Sequence, residues 1–233
     1  MLPQLVKLKG MALSLLFPQW CIGCGAEGSF ICHSCRLSLP RILPELCPRC
    51  GRPQPSGTLC PGCVSWQAEI DGIRSPFRFD GVIRQAIHQL KYRNFRALAT
   101  PLAELLDDYM RTSPMPGEVL VPVPLHKKRL RERGYNQSGL LAKELGKLIH
   151  LPVVDDCLFR ERYTPPQART SNVDERRGNV VGVFTCRDHR LRDRKVLLID
   201  DVSTSGATLD ACAAALKAAG AISVWGLVLA REI

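Results

Sequence analysis

Long apolar runs are missing from this 233-residue sequence: none approaches the ~20 residues that a bilayer-spanning helix requires. Lys7 and Lys9 ahead of the apolar Met11 to Phe17 imitate a secretion signal, but no small-x-small cleavage site follows, and the stretch runs straight into Pro18 and Cys21. It reads instead as a short lead-in helix, in a cytoplasm that keeps thiols reduced. Aromatic residues make up only 6% of the chain, with three tryptophans (Trp20, Trp66 and Trp225), so platforms for stacking nucleic-acid bases are few. Trp225 lies in an apolar run and reads as core. Histidines such as His88, His126 and His150 are scattered and form no catalytic constellation. Cysteine is nearly absent after residue 63, where only Cys157, Cys186 and Cys212 occur. A disulfide-stapled secreted fold would spread its cysteines through the chain, so that class is excluded. With 45% hydrophobic and 23% charged residues, the composition also excludes a fibrous or disordered chain.

What is abundant is concentrated. The other eight cysteines form four Cys-x-x-Cys pairs: Cys21/Cys24, Cys32/Cys35, Cys47/Cys50 and Cys60/Cys63. Two intervening residues let the chain turn back so that both thiolates meet one metal, and Gly25 and Gly51 follow where such a knuckle asks for positive φ. Two pairs complete a tetrahedral sulfur shell, so eight thiolates suit two structural Zn2+ ions. Sequential pairing, one ribbon over 21–35 and another over 47–63, is the simplest arrangement; a crossed one, first pair with third, fits the spacing too. Four such pairs in so short a segment argue against a thioredoxin-type redox centre. Arg36, Arg41, Arg49 and Arg52 are available for phosphates.

The formal net charge of +10 is equally local. Residues 120–153 carry seven Lys/Arg against two Asp/Glu, and residues 1–63 carry six against two, whereas the rest is close to balanced. Such patches favour anionic partners: nucleic acid, phosphate esters or an anionic membrane surface.

Beyond the cysteines, strands alternate with helices. Residues 72–79 read as a strand or hairpin, 81–92 and 95–110 as helices, and 119–123 as a short buried strand. A helix carries Leu141, Leu145, Leu148 and Ile149 on one stripe. Lys195 to Asp200 is a second buried strand, 208–219 a helix with Leu209, Cys212, Ala213 and Leu216 inward and Gly220 as its stop, and Val224 to Ala230 a closing strand. This pattern predicts an α/β fold with a doubly wound parallel sheet, whose ligands sit at the carboxyl ends of the strands. The expected division is a lead-in segment and double zinc-ribbon module over 1–68 and an α/β domain over 69–233.

The most informative stretch runs from Val196 to Leu209. A buried strand delivers the adjacent carboxylates Asp200 and Asp201, and the small residues Thr204, Ser205, Gly206, Ala207 and Thr208 lead into a helix. Backbone amides there can approach a phosphate closely, and the helix start adds partial positive charge. The carboxylates would repel that phosphate, so they face sugar hydroxyls or a bridging Mg2+. A phosphorylated ribose satisfies both halves. The stretch resembles the 5-phosphoribosyl-1-pyrophosphate (PRPP) signature of type I phosphoribosyltransferases. Upstream, Pro124, Leu125, His126 and Lys127 follow a strand where that fold places its pyrophosphate loop, and Lys128, Arg129, Arg131 and Arg133 add positive charge.

Several pieces together resemble the ComF family, which includes proteins called GntX. They are Leu16-Phe17-Pro18, the Cys-x-x-Cys pairs, Gln89-Leu-Lys-Tyr92, Pro122 to Leu125, Arg133-Gly-Tyr135-Asn136-Gln137, Gln167 with Arg176 and Arg177, Asn179-Val180, and Asp200 to Thr208. Ser205 departs from a more usual threonine but keeps the hydroxyl. The resemblance implies a zinc-ribbon module joined to a phosphoribosyltransferase-like domain that binds PRPP with Mg2+. It also implies a role in natural competence or DNA utilisation, handling single-stranded DNA. Lys128, Arg129, Arg133, Tyr135, Asn136, Gln137, Gln167, Arg176 and Arg177 are then candidates for a lid over PRPP or for DNA contacts. No acceptor pocket and no general base can be assigned, so the alternatives are an active transferase with an unidentified acceptor, or a scaffold whose ribbons dock a competence helicase or DNA-uptake proteins at a membrane uptake complex.

Overall fold

The computed structural model describes residues 18–162 and 182–233. The lead-in stretch through Phe17, and Gln167, Arg176, Arg177, Asn179 and Val180, lie outside the described residues.

The sheet is parallel throughout. Its strands are β1 (Gly72–Arg74), β2 (Phe77–Arg78), β3 (Val119–Pro122), β6 (Lys195–Ser203) and β7 (Ser223–Arg231). Their order is β1–β7–β6–β3, with β2 also on β7. The segment 72–79 is therefore not a hairpin: both short strands run along the same edge of β7, Gly72 opposite Trp225 and Phe77 opposite Ala230. A separate antiparallel pair, β4 (Leu158–Arg160) with β5 (Phe184–Cys186), escaped the sequence reading because three-residue strands show no periodicity.

Alternation along β6 sorts side chains to the two faces, as a two-residue period requires. Leu197 and Ile199 join a core built with helices α3 (Gly81–Tyr92), α4 (Ala99–Thr112) and α6 (Gln137–Ile149). Val196 and Leu198 join a second core with α7 (Ala207–Ala218) and the β4–β5 pair. Helix α3 buries Ile83, Ala86, Ile87 and Leu90, and α7 buries Leu209, Cys212, Ala213 and Leu216. Past α7, Gly220 at φ +103° takes the left-handed turn that ends the helix. The cationic run Lys127–Arg133 forms a further short helix, α5, opened by His126 and stopped by Gly134 at φ +78°.

The cysteine-rich segment holds two short helices, α1 (His33–Leu37) and α2 (Pro61–Val64). Cys21 and Cys35 belong to the core on the α3/α4 face, whereas Cys47, Cys50, Cys60 and Cys63 belong to the core on the α7 face. The two cysteine clusters thus straddle the β1/β2 edge of the sheet. Trp225, expected as core, is half-buried: Gly72 leaves room for its ring and the Arg74 guanidinium lies 5.0 Å above it.

Candidate functional site

The eight thiols gather sequentially into Cys21/Cys24/Cys32/Cys35 and Cys47/Cys50/Cys60/Cys63, each set with its sulfurs within 4.8 Å of one another. Separations of 3.5 Å between Cys24 and Cys32 and 3.7 Å between Cys50 and Cys60 match the ~3.8 Å edge of a tetrahedron with Zn–S bonds near 2.3 Å. In both sets the amide of the third cysteine donates to the sulfur of the first, Cys32 to Cys21 and Cys60 to Cys47, each at 3.4 Å. Gly25 and Gly51 have φ of +75° and +70°, as the knuckles require. These are two four-cysteine sites for structural zinc, and the crossed pairing is excluded.

The second set has a further fit. Arg231, 2% exposed, donates from Nη1 to the Cys50 carbonyl at 2.6 Å and from Nη2 to the Thr204 carbonyl at 3.3 Å. Its Nε has no hydrogen-bond partner, and no carboxylate pairs with it among the described residues. A bare buried guanidinium is costly. A zinc tetrathiolate carries net negative charge and supplies the missing counter-charge beside it. The ribbon arginines, expected to be free for phosphates, are mostly engaged within the molecule. Arg36 pairs with Glu104 and Asp108, Arg41 lies over Phe77, and Arg49 donates to the carbonyls of Cys63 and Trp66.

At the other end of that arginine lies the junction of β6 and α7. Strand β6 continues through Ser203, so Asp200 and Asp201 lie within it rather than at its tip, and both are buried. Asp200 Oδ1 accepts from Ser138 Oγ at 2.8 Å and from the Asp201 amide at 2.9 Å. Asp201 Oδ2 meets Lys91 Nζ at 2.5 Å. Burial, then the neighbouring Asp201 charge, pushes the Asp200 carboxyl up to about 7, with Lys91 opposing. Burial would raise Asp201 as well, but the Lys91 ammonium and the hydrogen bond with Asp200 hold it below the usual carboxylate range. The two acids thus sit in different environments, which push the Asp200 carboxyl up and hold the Asp201 carboxyl down.

Thr204, Ser205 and Gly206 form the turn into α7, where Ala207 and Thr208 are the first helical residues. Gly206 has φ +83°, and a Cβ there would lie 2.8 Å from Ile73 Cδ1 and 3.0 Å from Trp66. Only glycine accepts both the backbone and the approach. Trp66 and Ile70 continue the second ribbon, and Asp210 on α7 accepts from the Glu69 and Ile70 amides at 2.8 and 3.0 Å.

Pro124, Leu125 and Lys127 line a cleft of about 600 Å³ that also touches Asn136, Phe159 and Arg160. His126 accepts the Lys128 amide on Nδ1. A different cleft, about 470 Å³, is lined by Lys91, Tyr92, Arg129, Glu132, Arg133 and Tyr135, beside the acid pair. The Arg133 to Gln137 motif mostly serves the fold. Tyr135 is buried and donates to the Leu90 carbonyl, Asn136 donates to the Val123 carbonyl and caps α6, and Gln137 is buried and accepts from Arg133. The structure therefore brings Asp200, Asp201, the 204–208 turn and Arg133 to the carboxyl end of the sheet, where the 124–127 loop also follows β3 but lines an adjoining cleft that shares Tyr135 with the one at Arg133. Lys91, Ser138 and Arg231 had no assigned role in the sequence reading. Lys91 stood inside a motif already singled out, and Arg231 was visible as a lone charge ending an apolar strand.

Residues 12–64 match the double zinc ribbon domain. The chain is 30% identical over 210 residues to "Competence protein ComFC" of Bacillus subtilis, covering 87% of this chain and 84% of that protein. It is 29% identical over 205 residues to "DNA utilization protein YhgH" of Escherichia coli K12, covering 84% and 89%. Among solved structures, glutamine PRPP amidotransferase of B. subtilis, complexed with ADP and GMP, aligns with a TM-score of 0.39 at 17% identity, over 56% of this chain and 26% of that one.

Proposed function

The chain belongs to the ComF family, and from that membership we propose that it acts in DNA uptake and utilisation during natural competence, handling single-stranded DNA with a phosphoribosyltransferase-type domain over 69–233 that binds PRPP or a related ribose phosphate. The observation carrying the reading is the β6–α7 junction, where a buried acid pair precedes a bulk-free turn opening a helix. In this reading the 204–208 turn receives the 5′-phosphate. Asp200 and Asp201 face the ribose hydroxyls directly or through Mg2+, which when bound would neutralise pyrophosphate charge. Pro124 to Lys127, with Lys128, Arg129 and Arg133, serve the pyrophosphate or the strand, and the names of the relatives support the DNA role. The expected location is the cytoplasm, in contact with a competence helicase or an uptake complex at the membrane.

The isosteric pair Asp200→Asn plus Asp201→Asn tests the assignment by thermal shift with Mg2+ and PRPP. Loss of the shift, with two zinc ions retained, is expected; an unchanged shift would sink the ribose-site reading. The 470 Å³ cleft beside the acid pair has room for an acceptor, which favours active phosphoribosyl transfer as a second reading. Its measure is pyrophosphate released from PRPP when a candidate acceptor is added.

A further inference from the structure

Three rings lie in a row along α3: Phe79, partly buried just before the helix, then His88 and Tyr92 on its solvent face. Phe79 stacks on His88 with centroids 6.1 Å apart and planes at 21°, and His88 lies 5.6 Å from Tyr92. Guanidinium groups cover both ends, Arg84 over Phe79 at 5.9 Å and Arg133 over Tyr92 at 5.5 Å. Positions 84, 88 and 92 are spaced by four residues, so they share one helical face away from the buried stripe of Ile83, Ala86, Ile87 and Leu90. Tyr92 is 67% exposed and lines two clefts. One is the 470 Å³ cleft at Lys91 and Arg133; the other, about 560 Å³, is lined by Gln85, His88, Gln89 and Arg93. Among the described residues, the 470 Å³ cleft is lined by one acid, Glu132, beside Lys91, Arg129 and Arg133, and Asp80 caps the start of α3.

We propose that this face of α3 is a track for a single-stranded nucleic acid, with bases stacking on Tyr92 and His88, phosphates meeting Arg84, Arg93 and Arg133, and the strand led toward the acid pair. The proposal rests on the single-strand reading above and adds its path. Flat rings interleaved with guanidinium groups match the alternation of base and phosphate in a strand, whereas an acidic peptide would use the charges and leave the rings idle. The rings here are a tyrosine, a histidine and a phenylalanine, so the scarcity of tryptophan does not count against it.

Fluorescence anisotropy with a labelled dT oligomer and an abasic oligomer of equal length tests the track. Tyr92→Ala plus His88→Ala is expected to weaken dT binding at least about ten-fold while barely changing abasic binding. Arg84→Ala plus Arg93→Ala should weaken both and lower the slope of log affinity against log salt by about 1.4, two phosphates at ~0.7 each. Equal losses on both oligomers, no loss on either, no dT binding by the unaltered protein, or equal competition by polyglutamate would each overturn the proposal. The Mg2+/PRPP thermal shift of His88→Ala and of the arginine pair should stay as in the parent protein. A failure of the acid-pair test with these results intact would remove the phosphoribosyl reading and leave the track standing.

Discussion

The two zinc ribbons share a spacing rule and a knuckle but are held by the molecule in different ways. The first leaves Cys24 exposed and docks mainly on side chains: Phe30 edge-on to Phe95 at 4.9 Å, the Gly23 backbone against the Val82 side chain, and Arg36 on Glu104 and Asp108. The second buries all four cysteines and docks through backbone. The Ile73 amide donates to the Arg49 carbonyl at 2.7 Å, and a Cβ on Gly51 would lie 2.3 Å from the Ile73 carbonyl oxygen. Arg231 then joins this ribbon to the Thr204 turn. Partly exposed ion pairs are worth about 0–1 kcal/mol. Backbone contacts with no room for a side chain, closed by a buried guanidinium, tolerate far less. The first ribbon is an attachment; the second is a wall of the candidate ligand site.

This contrast can be broken or sharpened by substitution. The largest effect is expected from Cys47→Ser plus Cys63→Ser. One zinc per chain should remain by metal analysis, and the Mg2+/PRPP shift should vanish with a fall in melting temperature larger than that caused by Cys21→Ser plus Cys35→Ser. Equal falls, with the ligand shift lost in both, would make the ribbons equivalent. Next comes Arg231→Met, which leaves the tetrathiolate charge uncompensated and frees the Thr204 carbonyl; a loss of about 3 kcal/mol in urea unfolding is expected. Smallest is Arg36→Ala on the first ribbon, at about 1 kcal/mol or less by the same measurement. A cost for Arg36→Ala matching that for Arg231→Met would erase the distinction.

Much of this was legible in the chain because the signals were local. The zinc ligands follow from Cys-x-x-Cys spacing, the long helices from their apolar stripes, and the 204–208 turn from a run of small residues after a buried strand. What stayed hidden depends on contacts between distant residues. The Lys91–Asp201 pair joins α3 to β6, Ser138 reaches Asp200 from α6, and Arg231 reaches the second ribbon, none of which a periodicity can show. Helix α5 was missed for another reason: its seven residues bury nothing, so no stripe marks it.

The bond from Arg231 to Cys50 spans 181 positions of sequence, and β7 lies between β6 and the β1/β2 edge. During synthesis the ribbon can take up its metal early, while the strand that seats it follows only much later in the chain. Contacts of such long sequence separation form late and slowly. A chain halted before β7 would therefore hold its metal yet present an open edge on β6 and a loose turn at 204–206. Such a nascent chain would be recognisable to chaperones and proteases as unfinished, whatever its zinc content.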